Sequence, residues 1–385
     1  MKFTVHKSIL MEYLSLANGT VSNKNTITSL EGVLFETMDD GRIRLTTYDM
    51  NKGVRCLFTP SEIERDGKFI VNASRFYQTV RVLPDDEITV DINDKLNCTV
   101  SSGKASFSMF AMRGEDFPNL PELDTEKGFI IKAEILSKMI GKVSHSISDM
   151  DTRPMLKGAF FKIDKRGIEA VSCDGYILSK CSTYCPIEYI GSEERDFSFI
   201  VPGHALGEIT KIIEAGEEEV KFYLARKHAI IKTGDVVFFT RTIDAEYLDY
   251  NRMVPTENNI FLTVNRERLL SGLERANIVA DEKIQGSGKS YVKIIAEGDI
   301  LSLSSSSVNG KFYDEMECDH KGDDIEICFN CRYLINTVKV AEGENIFISL
   351  LKYDKAITIE PAVKEDDFSY FYMILPLKIR ENNDN

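Results

Sequence analysis

This sequence predicts an α+β protein of three similar domains, each made of two strand–helix–strands halves. Three observations predict it. The length, 385 residues, exceeds what one ordinary hydrophobic core holds. A short apolar strand running into helical spacing occurs six times, and related segments recur in three units of about 125–130 residues.

The first half of each domain opens alike. Phe3-Thr4-Val5 leads to Ile9, Leu10, Tyr13, Leu14 and Leu16, apolar at helical intervals. Phe129-Ile130-Ile131 leads to Leu136, and Leu262-Thr263-Val264 leads to Leu269. Leu30-x-Gly32-Val33-Leu34-Phe35 recurs 126 residues later as Leu156-x-Gly158-Ala159-Phe160-Phe161, after which Asp49 and Asp174 close matching strands. The second halves open on Phe69-Ile70-Val71-Asn72, Phe199-Ile200-Val201-Pro202 and Ile327-Cys328-Phe329-Asn330. Each is followed by an apolar helical stripe: Phe76, Val80 and Leu83; Leu206, Ile209 and Ile213; Leu334, Ile335 and Val338. Asn72 and Asn330 suit helix N-caps, where a side-chain oxygen satisfies an orphan N–H, and Pro202 suits a first helical turn. Further strands, such as Glu87-Ile88-Thr89-Val90-Asp91-Ile92 and Ala356-Ile357-Thr358-Ile359, complete the halves. Helices are expected at residues 6–18, 72–83, 132–147, 203–214, 265–279 and 330–341. Polar stretches at 124–127 and 256–259 divide the chain into domains 1–125, 126–256 and 257–385, with helices covering one face of antiparallel sheets.

Composition excludes several classes of protein. Hydrophobic residues at 43% and charged residues at 28% mark a folded globular chain rather than a disordered one. Forty-seven Lys and Arg against 61 Asp and Glu leave a net charge of −14, which argues against a surface uniformly positive for nucleic acid. No apolar run approaches the ~20 residues a membrane span needs. The start, Met1-Lys2-Phe3-Thr4-Val5-His6-Lys7, lacks a signal-peptide core, so a cytoplasmic protein with no membrane partner is expected. The eight scattered Cys then read as reduced thiols.

Motifs for chemistry do not hold together. Gly286-Ser287-Gly288-Lys289-Ser290 resembles the end of a phosphate loop, but Lys283 stands where the first glycine belongs, and the strand-like Tyr291-Val292-Lys293-Ile294-Ile295 follows instead of a helix. A solvated turn is the expectation. Cys318, His320, Cys328 and Cys331 could supply four zinc ligands, yet Cys328 falls in a strand, Cys331 in a helical first turn and the other two in an acidic loop. His6, His145, His204 and His228 have no partnered nucleophile nearby in sequence, and Asp149 and Asp151 read as loop residues. No catalytic residue, metal or cofactor is therefore expected. The residues alone leave open a nucleotide-dependent enzyme and a monomeric scaffold of three tandem domains.

Charge is distributed unevenly. The six expected helices hold twelve basic and six acidic residues, net +6, whereas the rest of the chain carries 35 basic and 55 acidic residues, net −20. Gathered on one surface, those helices would suit a polyanion held through its phosphates. Merely solvated helix faces would give the same count.

The chain resembles the bacterial DNA polymerase III beta-subunit family, the beta sliding clamps, over essentially its whole length. The resemblance rests on Met1-Lys2-Phe3-Thr4-Val5, Asp116-Phe117-Pro118-Asn119-Leu120, Cys173-Asp174-Gly175 and Asp249-Tyr250-Asn251-Arg252-Met253-Val254-Pro255. It extends through Ala280-Asp281-Glu282-Lys283, Phe329-Asn330 with Tyr333, and Ile374-Leu375-Pro376-Leu377-Lys378. What it implies is a DNA-clamp fold: a head-to-tail homodimeric ring around duplex DNA, helices lining the hole and sheets outside. Such a ring is a non-enzymatic processivity factor, and a closed circle needs only weak, sequence-independent contact with its DNA.

By the same resemblance, DNA would meet Lys24, Arg153, Arg75, Arg81, Lys138, Lys142, Arg266, Arg275 and Lys339. The dimer junction would use Lys104 and Phe107 on one side and Ile278 and Val279 on the other. A groove for short peptides of the polymerase, clamp loader and repair proteins would involve Leu156, Cys173, Gly175, Tyr176, Ile177, Leu178 and Leu248. Arg252, Met253, Tyr333, Met373, Leu375, Pro376 and Leu377 would complete it. Several residues depart from the family pattern. Tyr176-Ile177 stands where His-Arg is usual, Tyr247-Leu248-Asp249 replaces Phe-Pro-Asp, and Pro154 and Met155 replace aromatic residues near the second DNA loop. The chain also continues past Lys378-Ile379 as Arg380-Glu381-Asn382-Asn383-Asp384-Asn385. The change to Pro154 and Met155 bears on the DNA contact of that loop, the other departures bear on partner choice, and a paralogous or mobile-element clamp with a narrower partner set is the alternative.

Overall fold

Helical stripes and strand alternation in the sequence translate directly into elements. The computed structural model describes residues 1–21, 27–84, 86–191, 196–280, 291–307 and 310–377. Among them six α-helices occur: α1 Lys7–Asn18, α2 Ala73–Val82, α3 Ala133–Val143, α4 Gly203–Glu214, α5 Arg266–Ala280 and α6 Cys331–Val340. Each follows a strand with at most one residue between, which is the sixfold repeat made physical. The stripes point inward: α1 buries Leu10 and Leu14, α4 buries Leu206, Ile209 and Ile213, and α6 buries Leu334, Ile335 and Val338.

The helix starts follow their caps. The Asn72 side chain accepts from Arg75 N at 3.0 Å, and that of Asn330 accepts from Arg332 N at 3.0 Å. His6, not anticipated as a cap, accepts from Ser8 N at 3.3 Å through Nδ1. Two expectations need correction. Pro202 closes the strand Phe197–Pro202 and so precedes the first turn of α4 instead of lying in it. The third helix ends at Val143, and Ser144–Ser146 tightens into a 3-10 turn.

The described residues pack as two compact units, and residues 126–256 contribute to both. The first takes its residues from Met1–Ser137, Ile187–Arg195 and His204–Ile243. Its described strands form one order of fourteen, from Glu188–Ile190 at one edge to Glu62–Arg65 at the other. The strand Val236–Arg241 pairs antiparallel with Lys52–Phe58, so the sheet runs on from one repeat into the next. Phe3, Phe35, Phe58 and Phe76 interlock in its core with ring centroids 5.3–6.1 Å apart. Each such buried side chain contributes roughly 1.5–3 kcal/mol. Gly32 explains the glycine of the repeated Leu-x-Gly: a Cβ there would stand 2.2 Å from Ile70 Cγ2 and 3.0 Å from Val71 O.

The second unit takes its residues from Lys138–Pro186, Asp196–Gly203 and Asp244–Asn385. It holds a nine-stranded and a four-stranded sheet among the described residues. In the larger, Ile177–Tyr184 pairs antiparallel with Phe368–Ile374 over seven residues. No helix among the described residues is long and apolar enough to cross a membrane.

The zinc candidates do not converge. Cys328 lies in the strand Ile325–Phe329 and Cys331 opens α6 with its thiol on Leu273 O at 3.3 Å. His320, expected in a loop, sits in the short strand Asp319–Lys321 with its ring nitrogens 2.9 and 3.2 Å from the carbonyls of Gly298 and Asp323. The segment 286–290 lies outside the described residues, while the strand expected after it runs from Val292 to Glu297.

Candidate functional site

The site begins at a turn that only glycine suits. Asp174 follows the strand Gly167–Cys173, and its Oδ1 accepts from Tyr176 N at 2.8 Å and Ile177 N at 2.7 Å. Gly175 takes φ +92° there, and a Cβ would also meet Arg153 Nη2 at 3.1 Å. The turn throws Tyr176 outward, 52% exposed, its ring centroid 5.8 Å from that of the half-buried Tyr333. Tyr176 O accepts from Leu375 N at 2.9 Å, and Leu377 N donates to Cys328 O at 2.7 Å, so the turn and the segment 375–377 are held side by side.

Beneath lies one apolar cluster: Leu156, Val171, Cys173, Leu178, Tyr250, Ala356 and Met373, with Phe160, Tyr247, Leu248 and Phe371 against it. Leu156, Cys173, Leu178, Leu248 and Met373, five of the residues that the resemblance assigned to a groove, thus share one apolar cluster. Leu156, Cys173, Ile177, Leu178 and Met373 are all buried, so they shape a floor from inside and are not themselves surface. The surface above is offered by Tyr176, Met253, Leu375 and Arg252, with Leu248, Tyr333, Pro376 and Leu377 half-buried. Arg252 Nε pairs with Asp249 Oδ2 at 2.9 Å, but both side chains are well exposed and such a pair exchanges partners at little cost.

The candidate DNA cations divide sharply. Arg75 and Arg81 stand exposed on α2. Lys339 on α6 is exposed and reaches Glu274 on α5 at 3.0 Å. Arg275 pairs with Asp314, and the half-buried Arg266 donates from Nε to Gly343 O at 3.2 Å. Arg153 forks onto Asp151, Nε to Oδ1 at 3.0 Å and Nη2 to Oδ2 at 2.9 Å, which holds the Asp151 carboxyl down to about 2. Lys138 spans Glu365 at 3.0 Å and Glu342 at 3.4 Å. Lys142, named among the candidate DNA contacts, does not face solvent. It is buried, donates to Val340 O at 2.6 Å, and pairs with Glu342 at 2.7 Å. Lys24 lies outside the described residues. With the observed helix bounds, the helices hold eleven basic and six acidic residues, net +5, against −19 for the rest.

Lys104 is exposed beside Gly103, at the turn into the strand Ala105–Arg113. That strand pairs with Asn97–Ser102 through residues 105–110, but with Lys68–Asn72 only through 111–113. One edge of 105–110 is therefore unpaired among the described residues, where Phe107 is 42% and Phe110 84% exposed. In the second unit, Lys311–Glu317 is the outermost strand of the four-stranded sheet. On α5, Ile278 is 74% exposed and Val279 half-buried.

Family comparison decides what these features belong to. Descriptions of the DNA polymerase III beta subunit match in order: its N-terminal domain over residues 1–121, its central domain over 130–249 and its C-terminal domain over 251–378. The chain belongs to the DNA polymerase III beta-subunit family. It is 26% identical over 389 residues to the beta sliding clamp of Bacillus subtilis strain 168, covering 98% of this chain and 100% of that protein. The Escherichia coli K12 beta sliding clamp is 24% identical over 381 residues, covering 98% of this chain and 100% of its own. Among solved structures, the Thermotoga maritima DNA polymerase III beta subunit superposes with TM-score 0.88 at 25% identity, over 98% of this chain and 100% of that one.

Membership makes the chain a DNA sliding clamp of three-domain clamp fold, a non-catalytic processivity subunit of replication. A clamp needs surfaces instead of a reaction centre, and three aromatic residues outside the expected site set stand close to the candidate surfaces. Tyr247 stacks on Phe160 with centroids 5.0 Å apart and donates to Val171 O at 3.3 Å. Tyr250 hydrogen-bonds Glu169, which Lys180 also grips at 2.6 Å. Burial first, then that carboxylate, pushes the Tyr250 phenol up and keeps it a donor. The signal was present as two tyrosines three residues apart just ahead of Arg252. Phe110 was missed because a lone aromatic on a strand reads as core until its edge is seen to be unpaired.

Proposed function

We propose that this sliding clamp works as a head-to-tail homodimer closed around duplex DNA, tethering polymerase, clamp loader and repair proteins by short peptides, in the cytoplasm with the chromosome. The observation that carries the dimer is the unpaired edge at residues 105–110 with Phe107 and Phe110 exposed on it. Such an edge, carrying exposed aromatic side chains instead of charges, is a template for strand addition by a second chain. Lys311–Glu317, paired on one side only among the described residues, supplies the complementary edge, with Ile278 and Val279 as the apolar contact. A surface used twice in heterologous fashion closes a ring when its rotation closes.

DNA contact is assigned to Arg75 and Arg81 first, then to Arg153, Arg266, Arg275 and Lys339, whose surface ion pairs yield to phosphate. Partner peptides are assigned to the surface of Tyr176, Arg252, Met253, Tyr333 and Leu375–Leu377 over the Leu178–Met373 floor. A narrower partner set has one observation in its favour: Ile177 is 1% exposed, so this position of the turn presents no side chain to a peptide. Light scattering at micromolar concentration tests the assembly. A dimer supports it, and a monomer removes the ring.

A further inference from the structure

Lys142 is a charged side chain in the wrong place for a DNA contact and too well held to be incidental. It lies on α3, in the segment matched by the family's central domain, and is 4% exposed. Its three partners all belong to the C-terminal segment: Val340 O at 2.6 Å, Glu342 at 2.7 Å, and the face of Tyr370 at 4.4 Å from Nζ to the centroid. The same partners grip one another, since Tyr370 Oη accepts from Glu342 N at 2.6 Å and Tyr372 Oη donates to Val340 O at 3.4 Å.

Tyr370 and Tyr372 stand opposite Cys181 and Ser179 in the register that joins the two segments. Side chains alternate across a strand, so while these tyrosines face α3, Met373 between Tyr372 and Ile374 faces the opposite way, into the groove floor. The Lys142 cluster and the groove are thus two faces of one strand. We propose that Lys142 is a positioning residue for the peptide groove: with Glu342 and Tyr370 it fixes the strand Phe368–Ile374, and through it Met373 and Leu375, at the level a partner peptide requires. This rests on the groove reading above and removes Lys142 from the DNA-binding set.

The test uses the full chain and, as probe, the tightest binder from a set of fluorescent synthetic peptides tiling the replicative polymerase subunit encoded by the same genome. Lys142→Met is expected to weaken peptide binding about three- to tenfold, the scale of residues that act without touching the ligand. Glu342→Gln should do the same more weakly, and Lys142→Arg should restore binding. Because Glu342 keeps 46% of its side chain exposed, Lys142→Met strands no buried charge and the variant should fold. The salt dependence of DNA binding should not change. Leu375→Ala serves as the control on the groove itself. If Leu375→Ala weakens the peptide and Lys142→Met does not, the positioning role is overturned and the groove stands. If Leu375→Ala has no effect, the groove reading fails and takes this inference with it. A Lys142→Met protein that keeps its peptide affinity but loses one unit of salt slope would return the residue to DNA.

Discussion

Leu178 lies directly opposite Met373 in the antiparallel register between Ile177–Tyr184 and Phe368–Ile374, one residue from each side of the junction between two family segments. Both are buried, Leu178 at 0% and Met373 at 3% exposure. In the proposed groove this pair belongs to the floor, and a floor made across a strand junction exists only while the junction is paired. Its upper surface is made by residues just beyond those strands.

Leu375→Ala and Met373→Ala should therefore differ. Leu375 is 39% exposed, so its truncation should cost under about 1 kcal/mol of stability while weakening peptide binding. Met373→Ala empties a core position and should cost roughly 2–5 kcal/mol as well. Calorimetry with the peptide and thermal unfolding on both variants separate the two effects. Equal stability losses would contradict the assignment of floor and surface.

Phe107→Asp should yield a monomer with an unchanged fold. The side chain is already part-exposed, so the charge costs little in the isolated chain, whereas at a strand-addition interface it would be buried unpaired. Light scattering beside far-ultraviolet circular dichroism reads both. A dimeric variant would show that the edge 105–110 is not the interface.

Arg75→Gln and Arg81→Gln should each lower the salt slope of DNA binding by about 1, uniformly across DNA sequences. Affinity measured at several salt concentrations on two unrelated duplexes checks it. A change confined to one duplex would argue for base contact, which a sliding ring cannot use.

His145 gives a pH dependence with a definite sign. Burial, then Lys142 nearby, lowers its folded pKa from 6.5 to about 4. Between those values the unfolded chain binds the proton and the folded chain does not, so folding stability is full above pH 6.5 and declines as pH falls towards 4. The total is about 3 kcal/mol at 1.36 kcal/mol per unit. Denaturant titrations across this range should show a shallower slope for His145→Gln, and parallel slopes would contradict the buried neutral imidazole.

How far the sequence could be read depends on the range of the interaction. Helices α1 to α6 were legible because their stripes and caps are local: Asn72 and Asn330 needed only their own next three residues. The groove turn was legible for the same reason, Asp174-Gly175 carrying its conformation with it. The burial of Lys142 was not legible because it depends on Val340, Glu342 and Tyr370, nearly two hundred residues away or more, and no pattern around it records them. Likewise Leu156 and Leu178 look identical in sequence whether they line a groove or support it. Only the tyrosines packed over them decide.

The most direct measurement of the central claim is retention on DNA of different topology. The chain, loaded onto nicked circular duplex and washed at high salt, should stay on the circle and be lost within moments of a single linearising cut. Equal loss from the intact circle and the cut molecule would mean that contact, not encirclement, holds it, and would contradict the account.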